Sequence, residues 1–289
     1  MEHVIELNQV TKTFKNFSIE NMDLAVKKGF VTGFIGANGA GKSTTIKMMM
    51  NLLRPDKGKV KVFGQDYTTH EKEIKERIGF VYDGNVFFEG LNLKDIKRIV
   101  APAYKRWDDT LFYHYVTQFE LPLNKSIKTF SKGMQMKASL ALALSHHAEL
   151  IIMDEPTAGL DPIFRRELLN LLQELMIDGS RTIFFSTHMT TDLDRIADYI
   201  AFIQNGKLIF NQSVHNLSEN YALVKGGLDL LDQDTERAFI DVHRAPTGFE
   251  ALTDNIQAVK HIFEDSVVME QASLEDIMYY YKKGGRHRV

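Results

Sequence analysis

The sequence predicts an α/β fold: a mostly parallel core sheet entered through a β-rich subdomain, interrupted by a helical subdomain and followed by a small α+β appendage. Three observations predict it. An apolar run, FVTGFI, feeds the glycine-rich loop GANGAGKS and then the helix-forming stretch STTIKMMMNLL, the strand–loop–helix order of a phosphate-binding turn. From ELIIMDEP to RTIFFSTH, strand-like runs alternate with helix-like ones, the pattern of a parallel sheet with crossover helices. Between about residues 91 and 130 the strand pattern gives way to helical segments such as LKDIKRIVAPAYKRW and DDTLFYHYVTQFEL.

In chain order, HVIEL, FSIENMDLAV and KKGFVTGFI alternate apolar residues with turn residues and read as strands. RPDKGKVKVFG contributes a turn and a short alternating strand, and IGFVYDGN ends another. After the helical stretch, MQMKASLALALSHH reads as a helix, ELIIMDEP as a buried strand and RRELLNLLQELMIDG as a helix. RTIFFSTH is a strand, TTDLDRIADYI a helix, and AFIQNGKLIF a hairpin turning at Asn205-Gly206. Residues 1–212 are expected to form one domain and 213–289 an appendage, whose last helix, SLEDIMYYYKK, opens with Ser273 as cap and Asp276 three residues on.

Composition narrows the function classes. The chain has 289 residues, 44% hydrophobic and 25% charged, with a formal net charge of −3, which suits a globular protein and argues against a dedicated nucleic-acid binder. Zero cysteines exclude disulfides and thiolate metal sites. The opening MEHVIELNQVTKTF lacks the basic and apolar regions of a secretory signal, and no apolar run is long enough to span a bilayer.

The chemistry concentrates in three stretches. In GANGAGKSTT, glycines 36, 39 and 41 let backbone N–H groups turn inward around an anion, Lys42 adds charge near the terminal phosphates, and Ser43 offers a hydroxyl to Mg²⁺. In LIIMDEP, Asp154 and Glu155 emerge at the end of a buried strand, the first suited to holding Mg²⁺ and the second to polarising water for attack on a γ-phosphate. In FSKGM, Ser131 and Gly133 open a helix and make a second anion site. A guanine-reading NKxD is missing, since NKSI at 124–127 ends in Ile127.

This set resembles the nucleotide-binding subunits of ABC transporters. Walker A is GANGAGKS, the signature is FSKGM in place of LSGGQ, Walker B is LIIMD followed by Glu155, the D-loop is AGLD, and the switch histidine is His188 in FFSTH. The resemblance covers residues 1 to about 212 and implies an ABC-type P-loop NTPase that hydrolyses ATP with Mg²⁺. It implies two protomers head to tail, as a homodimer or heterodimer, with Glu155 as general base and His188 at the γ-phosphate. Asn38, Gly39 and Thr44 belong to the Walker A cradle, Asp161 communicates across the dimer, and Ser131 and Gly133 hold ATP in trans. An aromatic residue should stack on adenine, with Phe14 the first candidate and Phe17 the second. Asp83 stands where the family has its Q-loop glutamine and is a further metal candidate.

No second cassette and no long coiled coil interrupts the chain, so the resemblance implies an ATPase subunit on the cytoplasmic face of the membrane, docked on a separately encoded permease. Phe87 and Phe88 are candidates for that coupling or for core packing. The ending ASLEDIMYYYKKG resembles bacterial exporters of peptides and antibiotics. A regulatory ATPase and an importer subunit are the alternatives. The basic end, Lys282, Lys283, Arg286 and Arg288, suits either anionic headgroups or a solvated tail.

Overall fold

β1 (His3–Thr13) and β2 (Ser18–Lys27) form an antiparallel pair whose alternate residues, among them Ile5, Leu7, Met22 and Leu24, are buried. They belong to the first of two units, Met1–Asn211 and Gln212–Val289, of a computed structural model that describes residues 2–82 and 89–284. β3 (Val31–Ile35), buried along its whole length, leads through the glycine-rich loop into α1 (Lys42–Met49). α1 stops early because Asn51 takes a left-handed conformation, φ +53°, and the N–H groups of Leu52 and Leu53 turn back to Lys47 O. β4 (Lys57–Val62) pairs antiparallel with β1, and β5 (Gln65–Asp66) with β4, completing a four-stranded sheet in the order β2-β1-β4-β5.

α2 (Tyr67–Glu76), capped by Asp66, precedes β6 (Ile78–Val81). The helical subdomain follows: α3 (Leu93–Val100), capped by Asn92, α4 (Asp109–Gln118), capped by Asp108, and α5 (Lys132–Leu144), capped by Ser131. Leu93, Ile96, Phe112, Val116, Ile127 and Phe130 are buried there. The chain then returns to the core through β7 (Leu150–Asp154), α6 (Pro162–Met176), β8 (Thr182–Thr187), α7 (Thr190–Ile196), β9 (Tyr199–Gln204) and β10 (Lys207–Ser213).

The core sheet runs β10-β9-β3-β8-β7-β6, with β3 parallel to both β8 and β9, and β7 parallel to both β8 and β6. Its central strands are continuous apolar runs, as a sheet covered on both faces requires. The apolar side chains of helix α1 lie between the two sheets: its Ile46, Met48 and Met49 share one cluster with Val4, Leu7 and Leu24 of the antiparallel sheet and with Phe34, Ile152 and Phe184 of the parallel one.

The second unit contains α8 (Val214–Asn220), β11 (Ala222–Gly226), β12 (Asp241–Ala245), β13 (Gly248–Thr253), α9 (Ile256–Phe263), β14 (Val268–Gln271) and α10 (Leu274–Gly284). Its antiparallel sheet has the order β12-β13-β11-β14. Val224, Phe239, Phe249, Ala251, Val259 and Phe263 form its core. Alternation along β13 sends Glu250 elsewhere, to a 2.9 Å hydrogen bond from the buried Tyr280 of α10. Ser273 and Asp276 bond reciprocally, as a capping box does.

Candidate functional site

Three neighbouring strands place the site. β3, β8 and β7 lie side by side and parallel, so their carboxyl ends, Ile35, Thr187 and Asp154, open on one edge of the sheet. Crevices at that edge are where open α/β sheets bind ligands.

The loop after β3 is held tightly. A Cβ on Gly36 would come within 2.5 Å of Ile203 O, so only glycine lets this turn close against β9. Gly41 takes φ +115° at the N-terminus of α1, where Thr45 donates to its carbonyl from both backbone and hydroxyl. The β9–β10 turn supports the loop from outside: Gly206 N–H donates to Ala40 O at 3.0 Å, and Gly206 O accepts from Glu20 N–H at 3.1 Å. Asn38 and Gly39 are exposed at the loop tip, and Ser43 and Thr44 are half-buried in the first turn of α1.

Lys42 Nζ donates to Gly36 O at 2.7 Å and lies 3.1 Å from Glu155 Oε1. The other carboxylate oxygen of Glu155 is 2.8 Å from His188 Nδ1 and 3.3 Å from the His188 backbone nitrogen. A carboxylate only accepts, so Nδ1 carries the proton in that bond and Nε2 faces away from it. Glu155 sits at φ +48°, a left-handed conformation that costs a non-glycine residue about 1–2 kcal/mol. Its N–H is held by the carbonyl and hydroxyl oxygens of Ser186, both at 3.1 Å. Ser186, fully buried, in turn donates to Asp154 Oδ1 at 2.6 Å. The Asp154 carboxylate at the end of β7 and the Ser43 hydroxyl in the first turn of α1 are oxygen donors of the kind a hard divalent cation takes.

A second group stands at two helix starts of the first unit. Ser131 caps α5 by accepting from Met134 N–H at 3.2 Å, and Asp161 caps α6 by accepting from Ile163 and Phe164. These two helix starts are neighbours, since a Cβ on Gly133 would meet Phe164 at 3.3 Å and one on Gly159 would meet Lys132 at 3.3 Å. Ser131, Asp161 and Ile163 are exposed. Phe14 is 42% exposed and stacks on Phe17 at 6.4 Å between centroids, while Phe17 approaches the phosphate loop at Gly41. Asp83, Phe87 and Phe88 lie outside the described residues, as do Arg286 and Arg288.

Sequence reasoning did not single out Ser186 or the role of Gly206 at the phosphate loop. The Asn-Gly pair signalled the turn, but nothing local signalled its bond to Ala40. Ser186 could have been found by aligning FFSTH in parallel with LIIMD, which puts Ser186 beside Asp154.

Comparison with known proteins accords with this geometry. Residues 19–158 match the family model described as ABC transporter. The bacitracin transport ATP-binding protein BcrA of Bacillus licheniformis is 35% identical over 214 residues, 72% of this chain and 69% of that protein. The chain belongs to the ABC transporter ATP-binding family. The BcrA protein of Enterococcus faecalis is 32% identical over 75% of this chain and 71% of its own length. A solved ATP-binding subunit of an ABC transporter superposes with a TM-score of 0.68 at 26% identity, covering 75% of this chain and 92% of that one. As a member of the ABC family the chain is an ATP-binding ATPase subunit, and its α/β fold is the one expected for it. Among the described residues no helix is long and apolar enough to cross a membrane.

Proposed function

We propose that residues 1–212 form a nucleotide-binding domain in which Glu155 is the general base for ATP hydrolysis and Lys42 the charge that meets the terminal phosphates. One observation carries this reading: Glu155 stands at the carboxyl edge of the parallel sheet, between Lys42 and His188 and next to Asp154. Turning inward, the N–H groups of residues 36–44 bind and orient the triphosphate, and Lys42 Nζ moves from Glu155 Oε1 to a phosphate oxygen. Glu155, freed of that ion pair, takes a proton from water as the water attacks the γ-phosphorus and the bond to the β–γ bridging oxygen breaks, leaving ADP and phosphate. His188 keeps its Nδ1–H on Glu155, a bond that holds the ring beside the place of the γ-phosphate. Ser43 and Asp154 would hold Mg²⁺, and Asp83 is a further candidate ligand. Mg²⁺, when bound, neutralises charge on the phosphates. Phe14 is the candidate adenine platform, its exposed ring supporting that role.

The second group of residues suits a partner protomer. Ser131, Gly133 and Asp161 gather at two neighbouring helix starts, and Ile163 beside them is 73% exposed. ATP bound between the Walker A of one protomer and the signature of another accounts for both facts. A permease is the third component of this reading, with the chain on the cytoplasmic face. An apolar cleft of about 350 Å³, lined by Met50, Leu52, Phe80, Tyr82, Val100 and Tyr104, with Leu52 59% exposed, supports docking of an apolar permease segment. Export of peptides or antibiotics is favoured by the likeness to relatives named for bacitracin transport.

Glu155→Gln tests the chemistry. The variant should bind ATP with near-normal affinity, lose on the order of 10² to 10⁴ in turnover, and accumulate as an ATP-bound dimer on size-exclusion chromatography. Wild-type hydrolysis would remove Glu155 from the role of base. Co-expression with a candidate permease tests the transport reading, which predicts that the ATPase copurifies with membranes and is stimulated there.

A further inference from the structure

Among the described residues, the most deeply buried carboxylate outside the nucleotide site belongs to Asp192, which is 0% exposed. Burying a carboxylate is costly unless it is fully paired. Asp192 is paired at both oxygens: Thr157 Oγ1 donates to Oδ2 at 2.6 Å, and Arg165 Nε donates to Oδ1 at 2.6 Å. The second arm of Arg165 donates from Nη2 to Thr191 Oγ1 at 2.7 Å. Three separate segments meet here. Thr157 lies two residues after Glu155, and Arg165 is in the first turn of α6, its N–H bonded to Asp161 O. Asp192 is in the first turn of α7, four residues after His188.

Two features of the site need what this contact supplies. The start of α7 has no cap from its own N-cap residue, Met189, and the local hold on His188 is one bond from Met189 N–H to Thr187 Oγ1 at 2.9 Å, which does not reach the turn of Glu155. Glu155 holds a left-handed backbone conformation that relaxes unless its surroundings constrain it. The Asp192 carboxylate ties the turn that carries Glu155 to the helix that follows His188.

Resting on the assignment of Glu155 and His188 given above, we propose that Asp192 is a positioning residue that, through Thr157 and Arg165, sets the spacing of Glu155 and His188 at the γ-phosphate. None of the three needs to touch ATP. Because Arg165 sits on the helix capped by Asp161, the same contact carries displacements of the D-loop to the Glu155–His188 pair.

Steady-state ATPase kinetics, nucleotide binding and thermal melting of the full chain test this with Thr157→Val, Thr157→Ser, Asp192→Asn and, in parallel, Glu155→Gln. Valine matches threonine in shape and removes only the donated hydrogen bond. Thr157→Val should lose roughly 10- to 30-fold in kcat, with KM for ATP and nucleotide affinity within about threefold of wild type, as expected when a catalytic group is slightly misplaced. Thr157→Ser, which keeps the hydroxyl, should stay within about threefold in kcat, and Asp192→Asn should lose at least as much as Thr157→Val. Wild-type kcat in Thr157→Val would overturn the proposal, as would a loss of kcat matched by loss of nucleotide binding and of folded protein, since that marks a contact serving the fold alone. If Glu155→Gln is inactive while Thr157→Val is normal, only the positioning role fails. If Glu155→Gln hydrolyses ATP at the wild-type rate, the assignment of the base fails and the positioning role with it.

Discussion

Gly206 shows how one residue distant along the chain constrains the phosphate loop it touches. Its φ is +77°, and a Cβ there would sit 1.7 Å from Ser18 O, a backbone atom that cannot move aside cheaply. Its N–H and C=O connect Ala40 of the loop to Glu20 of β2. Gly64 is a control, with φ +72° and nothing within 4 Å of its would-be Cβ. Gly64→Ala should cost only the backbone term, about 1 kcal/mol, and leave ATP affinity unchanged. Gly206→Ala should cost about 3 kcal/mol or more and weaken ATP binding in whatever fraction stays folded. Melting temperatures and nucleotide titrations of the two variants decide it, and equal effects would remove Gly206 from the support of the loop. Lys42, Ser43 and Glu155 could be picked out from sequence because their chemistry is local to a motif. Gly206 could be read only as a turn residue, because its partners are more than 160 residues away along the chain.

Among elements, α5 is where fold and function compete most directly for one side chain. Ser131 caps the helix and is also the candidate contact to ATP. Aspartate caps a helix start about as well as serine, yet its negative charge would repel a triphosphate. Ser131→Asp should therefore melt within a few degrees of wild type while losing most ATPase activity. Retained activity would leave Ser131 as a cap alone. The run TTDLDRIADYI shows where reading elements from sequence fails. Its helix ends at Ile196, because Asp198 accepts a 2.8 Å hydrogen bond from Val31 N–H and Tyr199 pairs with Thr32, drawing the rest of the run into β9. The stretch MQMKASLALALSHH likewise leaves the helix at Leu144, and His147 adopts φ +56°. Local propensity favoured helix in both places, and the tertiary pairing or loop geometry that overrode it has no local signal. The stretch STTIKMMMNLL overran as well, since α1 ends at Met49 and Asn51 takes a left-handed conformation that its residue type adopts at low cost.

For the whole molecule, the exposed, neighbouring helix starts of Ser131 and Asp161, taken as the signature and D-loop, predict that one protomer is half of two sites. A Lys42→Ala protomer mixed with a Ser131→Arg protomer should form one intact site per heterodimer and regain partial activity, whereas each variant alone should be inactive. Mixed dimers that are demonstrably formed and wholly inactive would count against binding in trans. By itself the sequence determined the α/β class, the phosphate loop, the acids after β7 and the membership of an ABC transporter family, because each depends on residues a few positions apart with a fixed chemical task. Only the tertiary structure decided which groups share a site. Parallel pairing of β7 with β8 and of β3 with β8 brought Ser186 to Asp154 and His188 to Glu155. Burial of Asp192 joined the turn after Glu155 to the helices α6 and α7. Which strands become neighbours and which buried groups pair are settled by packing between segments distant in the chain, so a motif read by itself does not reveal its partners.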